Sequence, residues 1–236
     1  MSVMNKRIEY LKSKEHYDFY DLCALVEVLR SEEGCPWDRE QTNKSIRNAF
    51  IDETYEFIEG LDNDDNKLMC EELGDVIFQI VFHACIKQEN KEFDMSDVLD
   101  GICKKMILRH PHVFGDVSVS GSGEVLDNWE KIKNDEKQRK TPYERLESVS
   151  KALPSLMRAQ KLQSKSEKYD LLDKKNTLDY AKEIEQCAKL LTDGKADKLT
   201  LSRLIFASVG ACRTQGYEAE ELLYEENEHF LKKFDK

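Results

Sequence analysis

An all-α fold is predicted by three features of this sequence: a shortage of helix breakers, apolar residues at helical spacing, and short polar turns between the periodic stretches. The 236 residues include 10 glycines and 4 prolines, a composition that favours helices joined by short loops over a many-turned β fold. The length suits one large domain or two modest ones with an ordinary core.

The first periodic stretch is "HYDFYDLCALVEVLR" at 16–30, with Phe19, Leu22, Leu25, Val26 and Leu29 in register. "SEEGCPWD" then interrupts it with Gly34 and Pro36. A helix is expected over roughly 43–61, a turn at "DNDDN" (62–66), and a second helix over roughly 67–89. "FDMSDVLDGICKKMILRH" reads as a further helix, with Ser96 as N-cap and Pro111 as its stop. "GDVSVSGSGEVLDN" is the most loop-like stretch, and "WEKIKNDEKQRK" resumes as a charged helix.

A boundary falls near 140–150, giving two blocks, 1–145 and 146–236. The second echoes the first: "LGDVIFQIVFHAC" at 73–85 is answered by "LSRLIFASVGACR" at 201–213, and "DETYE" at 52–56 by "KEIEQ" at 182–186. Such self-similarity suggests two tandem copies of one helical unit.

Charge and cysteine usage narrow the function classes. A formal net charge of -11 argues against general nucleic-acid binding, which needs a basic surface. The seven cysteines are scattered without a CxxC pair, so neither a zinc site nor a disulfide framework is indicated. Reduced thiols point to a cytoplasmic protein. No apolar run is long enough to serve as a signal segment or a membrane span, and a soluble intracellular protein is expected.

The chemistry concentrates in "FIDETYEFIEG" (50–60) and "LMCEELGDVIFQIVFHAC" (68–85). Each carries two acids three residues apart, Glu53 with Glu56 and Glu72 with Asp75, and residues so spaced share a helix face. A short turn between the two helices brings the pairs into opposition. Four carboxylates in a half-buried space raise one another's pKa values, and a divalent cation removes the repulsion. All-oxygen ligation selects Mg²⁺ or Mn²⁺ over zinc or copper. A di-iron bundle would require Glu-x-x-His on two helices; the single instance here, Glu226 with His229, lies near the tail. The competing reading, a solvated acidic surface, is weakened at Asp75 by the apolar residues that follow it.

"GCPWDREQT" at 34–42, "DETYE", "EELGDVIFQIVFHA" at 71–84 and "RHPHVFG" at 109–115 together resemble the MazG family of nucleoside triphosphate pyrophosphohydrolases. Order and spacing match across about residues 17–135. The second block, including "ALPSLMRAQKLQ" at 152–163, resembles the C-terminal repeat of two-domain members. The resemblance implies an all-α bundle, usually a homodimer, that hydrolyses a nucleoside triphosphate to the monophosphate and pyrophosphate. It implies Mg²⁺ held by Glu53, Glu56, Glu72 and Asp75, the same four acids. It also implies contacts to the triphosphate and base from Lys105 with Arg109 and from Trp129 with Lys133. On the residues alone, the basic pair also reads as a solvated face, and Trp129 also reads as packing against a neighbouring helix.

Departures from the family pattern are specific. Asp52 replaces the first Glu before "TYE", and Asn43 stands where a His is usual. His110 and His112 flank Pro111, where a helix stop is expected rather than a metal site. His83 reads as a satisfied core histidine, and Cys35, Pro36 and Trp37 as fixing a loop. In the second block the acid positions become Glu183, Gln186, Thr200 and Arg203. A guanidinium there repels Mg²⁺, so this copy is expected to be catalytically dead and to act as a structural or dimerisation unit. A nucleotide-sensing or protein-interaction module that keeps the site without turnover is the alternative reading.

Overall fold

A computed structural model describes residues 2–234. Thirteen helices and no strand occur among the described residues, and the chain divides into two compact units, Met1–Val117 and Ser118–Lys236.

The first unit holds α1 (Val3–Lys12), α2 (Phe19–Arg30), α3 (Pro36–Glu40), α4 (Arg47–Asp62), α5 (Asn66–Glu89), α6 (Met95–Arg109) and α7 (Pro111–Phe114). Its core is the contact of α2 with α5. Val26, Ile46, Val81, Phe82, Cys85 and Ile86 are buried there, with Phe19, Leu22, Leu25 and Phe78 packed around them. A reciprocal cap sets the start of α2. Asp18 accepts from the backbone N–H of Asp21 while the Asp21 carboxylate accepts from that of Asp18.

α4 and α5 form a tight hairpin. Gly60 is buried at its closed end, where a Cβ would lie 3.0 Å from the Met69 backbone nitrogen and 3.2 Å from its side chain. The turn itself uses Asp64 at φ +51°, a left-handed position that Asp tolerates. Asp65 then caps α5 by accepting from the N–H groups of Lys67 and Leu68.

The second unit holds α8 (Ser122–Glu136), α9 (Pro142–Glu147), α10 (Ser155–Lys168), α11 (Thr177–Thr192), α12 (Lys198–Thr214) and α13 (Ala219–Lys232). α11 and α12 pair as a second hairpin, and α10 packs on α9, α12 and α13. Gly210 lets the buried Tyr180 ring lie against α12, since a Cβ would meet that ring at 2.2 Å. Two buried glutamines tie helices together through backbone groups. Gln160 donates to the Tyr217 carbonyl and accepts from the Ala219 N–H, and Gln163 donates to the Phe206 carbonyl.

Several boundaries differ from those read in the sequence. α6 is capped by Asp94, not Ser96, because Asp94 and Asp97 form a reciprocal cap that starts the helix two residues earlier. The helix expected from 43 begins at Arg47, because Thr42 and Ser45 exchange hydrogen bonds across a preceding turn. α8 begins at Ser122, inside the stretch expected to be loop, and α1 lies in a segment to which the sequence assigned no helix. The compact units also part before the expected boundary at 145. α8 is joined to α10 by Lys165 and Lys168 on Glu130, which draws it into the second unit.

Candidate active site

The acids of the first unit meet across the α4/α5 hairpin. Glu53 and Glu56 lie one turn apart on α4, and Glu72 lies on α5. One carboxylate oxygen from each lies within 4.8 Å of the others, and among the described residues this is the only such group. The three differ in burial: Glu72 is only 5 % exposed, Glu53 half-buried and Glu56 exposed. Asp75, expected as the fourth member, is exposed and lies outside this group. One turn beyond Glu72 on the same helix, it sits at the group's edge and still acts on Glu53 and Glu72 through its charge.

The electrostatics follow from the crowding. Burial and then the Glu56, Asp75 and Glu53 charges push the Glu72 carboxyl above the usual range. Burial, followed by Asp75, Glu56 and Asp52, likewise raises Glu53, while the neighbouring Gln79 pulls it back. Glu72 Oε2 is buried with no hydrogen-bond partner. An orphaned carboxylate oxygen among like charges is costly, and a hard cation is the ligand that relieves it. Three carboxylates from two rigid helices fit Mg²⁺ or Mn²⁺ in donor type.

Further along α5, at His83, lies the partner of Asn43. The Asn43 amide donates to His83 Nδ1 at 2.8 Å and to its carbonyl at 3.1 Å. Accepting at Nδ1 places the ring proton on Nε2, and burial lowers the His83 pKa, so the ring is neutral. Phe50, one turn before Glu53 on α4, meets the same ring edge-on at 5.8 Å. Asn43 thus bonds a helix that its sequence position gave no reason to suspect.

The "GCPWD" loop is fixed mainly by backbone geometry. At Gly34 a Cβ would stand 2.1 Å from the Val28 carbonyl oxygen and 2.4 Å from that of Leu29, so only glycine fits. The Cys35 N–H donates to Leu29 O at 2.7 Å. Trp37 is 64 % exposed, so its ring is not buried in the fold. His110 ends α6, its Nδ1 on the Met106 carbonyl, and Pro111 opens α7.

The remaining residues assigned by resemblance are divided between the units. Lys105 and Arg109 lie on α6, where Arg109 is buried and Lys105 half-buried. Trp129 and Lys133 lie on α8 of the second unit, with the Lys133 ammonium 4.8 Å from the Trp129 ring centroid. That distance is a cation–π contact between the two side chains.

In the second unit the corresponding hairpin holds no acid group of this kind. Glu183 pairs with Lys175 at 2.5 Å. Thr200 is buried as the third residue of α12, bonded to its cap Asp197. Gln186 and Arg203 are exposed. α12 begins only two residues before Thr200, whereas α5 begins six before Glu72. The aligned position therefore serves a helix start instead of facing a partner helix.

The model of the MazG nucleotide pyrophosphohydrolase domain matches residues 41–114, the span that contains the three-carboxylate group. The nucleoside triphosphate pyrophosphohydrolase of Escherichia coli (strain K12) is 37% identical over 221 residues, 90% of this chain and 84% of the relative. The Thermotoga maritima nucleoside triphosphate pyrophosphohydrolase/pyrophosphatase MazG is 34% identical over 220 residues, 92% of this chain and 84% of the relative. The Bacillus subtilis protein YabN, uncharacterized, is 44% identical over 148 residues, 63% of this chain and 30% of that protein. Similarity of this extent, across both units and through the acidic hairpin, shows that the chain belongs to the MazG family of nucleotide pyrophosphohydrolases.

Proposed function

We propose that the chain hydrolyses nucleoside triphosphates to the monophosphate and pyrophosphate, using Mg²⁺ or Mn²⁺ held by Glu53, Glu56 and Glu72 with Asp75 at the edge. The observation that carries this reading is the convergence of three carboxylates on a buried, unpartnered Glu72 oxygen. The printed names of the Escherichia coli and Thermotoga maritima relatives support the same activity. Among the described residues, no helix is long and apolar enough to cross a membrane. The net charge of -11 argues against a nucleic-acid partner, and seven free thiols fit a reducing cytoplasm.

When bound, such a cation supplies positive charge to the phosphate oxygens and lowers the pKa of water. The chain's own residues supply the frame. Glu53 and Glu56 fix one wall from α4, and Glu72 fixes the other from α5. By resemblance to the family, Lys105 with Arg109 and Trp129 with Lys133 are assigned to contacts with the triphosphate and base. Water attacks in line at the α-phosphorus, the bond to the bridging oxygen breaks, and pyrophosphate leaves. The second hairpin, with a capping Thr200 and an ion-paired Glu183, is a non-catalytic copy and serves structure or dimerisation.

A homodimer is supported by the apolar stripe that the first hairpin leaves open, with Ile51, Tyr55 and Ile58 on α4 and Leu73 and Ile77 on α5 all exposed. Burying such a stripe is the ordinary reason for association.

The test is hydrolysis of a panel of nucleoside triphosphates by purified protein and Mg²⁺ in ¹⁸O-water. Pyrophosphate and a labelled monophosphate are expected. Release of orthophosphate and a diphosphate, or tight binding with no turnover, overturns the reading.

A further inference from the structure

Glu72, Asp75 and Gln79 follow one another at spacings of three and four on α5 and so share one helix face. Gln79 is 8 % exposed, deep for a carboxamide, which has two donors and an acceptor to satisfy. Across the hairpin its side chain lies near enough to the Glu53 carboxylate to lower that group's pKa. Its Oε1 is buried and has no partner. Two orphaned buried oxygens, Glu72 Oε2 and Gln79 Oε1, therefore lie two turns apart on the face that carries the acids.

The two orphans call for different partners. The carboxylate oxygen of Glu72 is answered by a cation. The carboxamide oxygen of Gln79 is neutral and accepts hydrogen bonds, so it is answered by an N–H or O–H donor. Magnesium dehydrates reluctantly and keeps several of its waters, each of which is a strong O–H donor. A hydrated cation thus answers both orphans at once.

We propose that Gln79 is a positioning residue of the cation site, holding Glu53 with its amide and receiving a hydrogen bond from the cation's water shell on its Oε1. The inference rests on the cation-site reading above and adds to it a residue outside the four acids. Gln79 acts through Glu53 and through water, so its removal weakens the ion without removing a ligand. Losses of 10- to 100-fold in metal affinity are typical for partners of this kind.

The test is calorimetric titration of the full-length protein with MgCl₂ and with MnCl₂, for wild type, Gln79→Met, Glu53→Gln and the double variant, beside thermal melting of each without metal. Methionine matches glutamine in length and packs well but neither donates nor accepts strongly. Gln79→Met is expected to weaken cation binding about tenfold while its metal-free melting temperature stays level or rises, because a buried orphan has been removed. In the Glu53→Gln background the further loss is expected to be smaller than in wild type, the coupling that marks a shared role. Wild-type affinity in Gln79→Met, or losses that multiply independently in the double variant, overturns the proposal and leaves the cation site standing. A wild-type protein that takes up neither ion overturns both. Should Gln79→Met fail to fold, Gln79→Asn, one methylene too short to reach Glu53, is titrated in its place with the same expected loss.

Discussion

Arg30 and Glu89, 59 residues apart, are joined by two parallel hydrogen bonds of 2.7 Å, Nε to Oε1 and Nη2 to Oε2. The same guanidinium donates from Nη1 to the Asp38 and Gln41 carbonyls and lies 5.2 Å from the Phe82 ring centroid. One buried cation thereby ties the end of α2, the end of α5 and the loop that presents Trp37. Glu89→Ala leaves that cation without its carboxylate. Because the Glu89 side chain is 45% exposed, the expected loss is about 1–2 kcal/mol, below that of a fully buried pair. Urea unfolding measures it.

Glu130 gives the pH dependence of the second unit. Burial alone would raise its carboxyl, but hydrogen bonds from Lys165, Lys168 and Tyr169 outweigh burial and lower it from 4.5 to about 2. A carboxyl depressed in the folded state stabilises fully above its unfolded value, and the gain is lost as pH falls through the folded one. Glu130→Gln is therefore expected to destabilise the second unit by on the order of 2 kcal/mol at pH 7. The difference from wild type shrinks between pH 4.5 and about 2. Melting curves across that range check the window and its sign.

Repulsion among the hairpin acids makes a separate statement about stability. With Mg²⁺ at 100 times its dissociation constant, wild type is expected to gain about 2.7 kcal/mol. Glu72→Gln removes a buried charge, so without metal it melts higher than wild type at neutral pH. The variant loses most of the Mg²⁺-induced shift and at least about 10²-fold in hydrolysis. Scanning calorimetry with EDTA or Mg²⁺, beside a pyrophosphate assay, records all three.

The second hairpin should behave as structure alone. Thr200→Val removes a capping hydroxyl and costs about 1 kcal/mol, with hydrolysis within about twofold of wild type. Glu183→Gln likewise spares turnover, since Glu183 is engaged in an ion pair with Lys175. A hundredfold loss from either would place chemistry in the second unit.

How much of this was legible in the sequence depended on whether the signal was local. Val26, Val81 and Phe82 announced the core through periodicity, and both acid pairs announced a shared face through three-residue spacing. The short turn at 62–66 implied that α4 and α5 meet. Caps were less legible, because Asp94 and Ser96 are both good cap residues and only the reciprocal bond from Asp97 decides between them. Pairings between distant residues were not legible at all. Asn43 with His83, and Gln79 with Glu53, join positions whose spacing follows from tertiary packing. The second unit's claim on α8 was hidden for the same reason, since Glu130 meets Lys165 and Lys168 only once α10 is in place.

X-ray diffraction at the manganese edge, from crystals grown with MnCl₂, locates the cation without reference to activity. An anomalous peak within coordinating distance of Glu53, Glu56 and Glu72 together is the expected result. A peak elsewhere in the first unit, or none at saturating Mn²⁺, contradicts the assignment of that hairpin as the metal centre.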